Sequence, residues 1–115
     1  MRLYRYSIVI TAITALFMSS VAIAESDAQF AAIARLGDLN GVALHCHYLD
    51  QTERMKAGLV DMLPKKRQLG EYFDARTNMA FMDFISKRAS CPDRGDFSGR
   101  VGEALQVLRA EFPAE

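Results

Sequence analysis

Three residues able to hold a metal, or to act as a nucleophile and its base, stand in a row in ALHCHYLD, residues 43–50: His45, Cys46 and His47. A thiolate with imidazoles is a familiar zinc donor set, and a cysteine beside a histidine is one form of activated nucleophile. The spacing argues against both. Successive helix residues are rotated by about 100°, so two histidines separated by one residue point about 200° apart. In a strand the histidines would share a face while Cys46 pointed away. A structural zinc takes four ligands, and no CxxC or HxxxH spacing accompanies the trio. Adjacent helix positions do not face one another, so Cys46 gains no base from its neighbours. His45 and His47 remain as ligands for one alternative, a metal- or small-ligand-binding protein. A pH-sensing role also stays open, because histidine titrates near pH 6.5.

The other cysteine, Cys91, supplies a simpler partner for Cys46. The chain opens with Arg2 and Arg5, continues through the apolar run Ile8 to Phe17, and reaches Ala22-Ile23-Ala24. That is the order of a secretory signal peptide with its small-residue cleavage site. The apolar run is shorter than the roughly 20 residues a membrane-spanning helix needs. Residues 1–24 are therefore expected to be a leader and residues 25–115 a single helical domain, periplasmic or secreted, with no membrane span once the leader is removed. Two cysteines in an exported chain read as one disulfide, Cys46–Cys91. The bridge closes a loop of about 45 residues, which chain-entropy arguments value at about 4 kcal/mol.

Charge narrows the class further. Without Arg2 and Arg5, 12 basic residues face 14 acidic ones, a net charge of about −2. That balance does not suit a general binder of nucleic acid or anionic membranes. Pairs such as Glu71 and Asp74, or Asp93 and Asp96, have no spacing that demands acid–base chemistry. GxSxG, a glycine-rich phosphate loop and HExxH are absent from the sequence. The expectation is a non-enzyme without a cofactor.

The elements that must carry these residues read as helices. Ser26 with Gln29 forms a capping box at the head of a helix running to about Tyr48. Gly37 and Gly41 interrupt it. Either GDLNG is a turn, or the two glycines lie on one face and admit another helix closely; one long helix is the favoured reading. Asp50 with Glu53 offers a second capping box, before a short helix that ends near Leu63 and Pro64. A third helix is expected from about Lys65 to Ala89. It is apolar over much of its circumference around MAFMDFI, as a central helix would be. SCPDRGDFSG reads as a loop, and Ser98 as the cap of a last helix to Phe112. Val101, Leu105, Leu108 and Phe112 form its apolar face. The predicted fold is all-α, a small bundle of about four helices closed by one disulfide.

Two features are candidates for contact with another molecule. Lys65, Lys66 and Arg67 are the one dense basic cluster, and placing them in a first helical turn opposes the helix dipole. Met79, Phe81 and Met82 could line an adaptable apolar surface, although a thin core also needs such side chains. The outline resembles small periplasmic helical proteins with one long-range disulfide, of which the HdeA-type acid chaperones are the best known. The resemblance covers a leader, a short mature chain, two distant cysteines and a final amphipathic helix. It carries no functional residue across. The functional expectation comes from the residues, namely a small exported bundle, no catalytic constellation and a Met- and Phe-rich helix: an exported, non-catalytic envelope protein that binds another envelope or secreted protein, as a chaperone, adaptor or assembly factor.

Overall fold

A computed structural model describes residues 24–114. The leader assigned to residues 1–24 lies, apart from Ala24, outside the described residues. Four helices follow one another: α1 Asp27–His45, α2 Leu49–Met62, α3 Arg67–Ser86 and α4 Arg94–Glu111. Among the described residues there is no strand. The expected all-α fold of four helices with the Cys46–Cys91 disulfide is the one observed.

The capping box at α1 forms as the sequence implies. The Gln29 N–H donates to Ser26 Oγ at 3.1 Å, and the Ser26 N–H donates to Gln29 Oε1 at 2.8 Å. The Gln29 side-chain amide also donates to the Glu111 carbonyl at 3.0 Å, tying the start of α1 to the end of α4. α1 is one uninterrupted helix through both glycines. The glycines are there for contact. A Cβ on Gly37 would fall 2.6 Å from Arg76 Cβ, and one on Gly41 would fall 2.6 Å from the Phe81 nitrogen. Both glycines therefore let α3 lie almost backbone to backbone against α1.

α1, not α3, is the central helix. It packs against all three others, while the backbone of α3 approaches α1 alone. The apolar circumference of α3 does not mean that it is surrounded; one side is packed and the other is bare. The packed side carries Leu69, Phe73, Thr77 and Phe84.

Three helix starts differ from expectation. Asp50 does not cap α2; Tyr48 holds that position without a side-chain bond to the helix's first N–H groups, and Asp50 lies inside the first turn. α3 begins at Arg67, so Lys65 and Lys66 precede the helix and only Arg67 sits in its first turn. α4 begins at Arg94, one turn before Ser98. The Asp93 carboxylate accepts from the Gly95 and Asp96 N–H groups at 3.0 and 3.2 Å, which satisfies two otherwise orphaned donors. The extra turn places Phe97 in the core, 1% exposed. Burying such a ring contributes on the order of 3 kcal/mol, and that favours Asp93 over Ser98 as the cap. Ile33 and Leu36 of α1, Met55 of α2, Phe73 of α3 and Val101 and Leu108 of α4 complete the centre.

α1 and α3 end alike. Tyr48 N–H donates to Ala43 C=O and His47 N–H to Leu44 C=O. Ala89 N–H donates to Phe84 C=O and Arg88 N–H to Ile85 C=O in the same manner. These are Schellman turns, which require a left-handed residue after the cap. His47 (φ 60°) and Arg88 (φ 50°) take that role without being glycine. The first turn contains Cys46 as its cap residue, and the second leads into the segment that holds Cys91.

Candidate interaction surface

The His-Cys-His row is taken apart by its own backbone. His45 is the last residue of α1 and lies half-buried, its ring 4.8 Å from Phe84 and 5.7 Å from Phe81, centroid to centroid. Cys46 is the cap residue and bonds to Cys91, with Cα atoms 5.7 Å apart. No thiolate is left for a ligand or a nucleophile. His47, in the left-handed turn, is exposed. Among the described residues, no three His, Cys, Asp or Glu side chains are grouped to hold a metal ion.

The surroundings of the bridge are bracing. The Tyr48 hydroxyl donates to the Pro92 carbonyl at 2.6 Å. The Arg94 guanidinium lies over the Tyr48 ring, 4.5 Å from its centroid, and 3.7 Å from Asp50. The α1–α2 corner is thereby clasped to the head of α4 beside the disulfide.

The basic cluster divides. Lys66 Nζ meets Glu25 Oε1 at 2.6 Å. That contact holds the Glu25 carboxyl below its ordinary range, chiefly through the hydrogen bond from Lys66. Lys65 and Arg67 are exposed. The cluster sits at the opposite end of a 20-residue helix from the methionines, so the two candidates do not form one site.

Met79, Phe81 and Met82 also separate. Phe81 turns inward, half-buried against His45. Met79 and Met82 are 60% and 63% exposed, and Ile85, absent from the sequence-derived candidates, is 43% exposed. Together they make an apolar strip along the outer side of α3. Between α1 and α3 the strip borders a shallow groove lined by Val42, Met79, Ala80 and Met82, with charged residues at its rim. The rim is held by two ion pairs, Asp38–Arg76 at 2.8 Å and Asp83–Lys87 at 2.9 Å. Asp38 keeps the Arg76 guanidinium protonated beyond its usual range by direct hydrogen bonding. A signal for Ile85 was present in the sequence: Met79, Met82 and Ile85 recur every third position, on the side of α3 opposite Thr77 and Phe84.

No described helix is long and apolar enough to cross a membrane. No protein-family model, no curated protein and no solved structure matches this chain.

Proposed function

We propose that this is an exported, non-catalytic envelope protein that acts by binding another protein through the outer side of α3. The observation that carries the reading is the exposure of Met79, Met82 and Ile85 on a helix already seated on the core by its other side. Large apolar side chains gathered on one exposed surface mark contact sites, and methionine adapts to varied partners. Export rests on the leader-like residues 1–24 and agrees with a disulfide, which persists in oxidising compartments. Periplasm and medium are the compartments this implies.

Two measurements test it. Intact mass of the protein recovered from the periplasm or medium should show a chain beginning at Glu25; retention of Met1 to Ala24 in the recovered protein refutes export by a cleaved leader. Cross-linking in the intact envelope should trap a partner with the native chain and lose it with Met79→Lys or Met82→Lys. Equal trapping by the native and lysine variants refutes α3 as the docking side.

A further inference from the structure

The bare side of α3 has an order of its own. Ala75, Met79, Met82 and Ser86 are all exposed and follow the alternating four- and three-residue steps of a coiled-coil seam. No charge falls on the seam. Its side chains run small, large, large, small. Ala75 and Ser86 share a midpoint with Met79 and Met82, between Ala80 and Phe81. The size order is therefore the same read from either end.

The flanks match this symmetry. Arg76 and Asp83 lie on one side, each immediately after a seam residue. When two copies of a helix pair antiparallel across a two-fold axis, like flanks meet. Arg76 then faces the partner's Asp83, and Asp83 faces the partner's Arg76. Each charge is steadied within its own chain, Arg76 by Asp38 and Asp83 by Lys87. The other flank carries Asn78 and Ile85, both uncharged, so Ile85 widens the apolar contact. The backbone of α3 approaches only α1, on the opposite side, so no described helix stands in the way.

We infer that the outer side of α3 pairs with a second copy of this chain, antiparallel across a two-fold axis, with Met79 on the partner's Met82 and Arg76 on the partner's Asp83. The inference rests on the reading of α3 as a docking surface and names its occupant. The seam spans only about 16 Å of helix. That is a small interface, and the pairing is correspondingly weak, with a dissociation constant on the order of tens to hundreds of micromolar.

Sedimentation equilibrium of the protein isolated after export, from about 1 µM to about 1 mM, reads this directly. The apparent mass should rise from that of the monomer toward, without quite reaching, that of the dimer over that range. Met82→Lys should stay monomeric throughout, with an unchanged helical circular dichroism spectrum because the side chain is exposed. Asp83→Arg and Arg76→Asp should each dimerise on the order of tenfold more weakly alone, since like charges then face one another. Mixed together, the two variants should recover dimer, because each charge then meets its opposite. Mixing Met79→Cys with Met82→Cys should give a disulfide-linked pair more readily than either alone. A native monomer at every concentration overturns the pairing while leaving the envelope cross-linking of α3 to be read separately. A dimer that survives Met82→Lys, or charge variants that do not rescue one another, overturns it as well.

Discussion

Asn40 of α1 and Thr77 of α3 meet at the closest approach of their helices: Asn40 Nδ2 donates to Thr77 Oγ1 at 3.2 Å, with both residues buried. Thr77 passes its own hydrogen to the Phe73 carbonyl at 2.9 Å. The bond sits between Gly37 and Gly41, one helical turn apart on α1. Thr77→Val should therefore cost about 1–3 kcal/mol, because it strands the buried Asn40 amide without an acceptor. Chemical denaturation of the variant checks this, and a near-zero change would show that the pair contributes nothing net.

The glycines at this contact predict opposite outcomes for one substitution. A Cβ on Gly41 meets backbone atoms, 2.6 Å from the Phe81 nitrogen and 2.7 Å from the Thr77 carbonyl oxygen, and backbone cannot yield cheaply. Gly41→Ala should destabilise by at least about 1–3 kcal/mol. Gly99, inside α4, has nothing within 4 Å of such a Cβ. Gly99→Ala should stabilise by about 0.5–1 kcal/mol, through lower backbone entropy in the unfolded chain. Thermal melts of the two variants should move in opposite directions.

The disulfide should dominate the effect of chemistry at residues 45–47. Protein isolated after export should show no free thiol when denatured. Reduction should lower stability by about 2–5 kcal/mol. Cys46→Ser and Cys91→Ser should each cost a similar amount, and the double variant little more, because both remove one bond. His47→Ala, at an exposed side chain, should cost far less than either. Two free thiols per chain in exported protein would refute the bridge.

His47 and Arg88 hold left-handed backbone at the ends of α1 and α3. That conformation costs a residue with a Cβ roughly 1 kcal/mol relative to glycine. Arg88→Gly should raise the denaturation midpoint, most visibly because Arg88 is exposed and among the described residues forms no ion pair to lose. A lower midpoint would mean that the Arg88 side chain contributes a contact larger than the strain.

Glu25 sets a small acid dependence. Its carboxyl is lowered by Lys66, so the folded protein holds that proton less tightly than the unfolded chain. The contribution is complete above the ordinary carboxylate range and is lost as pH falls through the lowered value. Comparing native protein with Glu25→Gln from pH 7 to pH 2 should show the difference shrinking toward acid. Added salt should shrink it at neutral pH, since the pair is near the surface. A difference that grows toward acid would contradict the sign.

Much of the local structure was legible in the residues themselves. The Ser26–Gln29 box is made of neighbours three apart, so nothing distant can rewrite it. The Cys46–Cys91 pairing followed from two cysteines and a leader-like start. The Val101-to-Phe112 face of α4 is amphipathic on its own. What stayed hidden depended on a second element. Asp93 and Ser98 are both good caps, and only the place waiting for Phe97 in the core selects Asp93. Gly37 and Gly41 read equally as a turn or a docking face until α3 lies against them. The sequence marks Met79, Phe81 and Met82 alike as apolar, yet Phe81 is turned to His45 while the methionines stand in water. Periodicity states which residues share a side of a helix. Which side is covered is a property of two helices together, and here the glycine face of α1 decided it by drawing in the Thr77 side of α3 and leaving the methionine side bare.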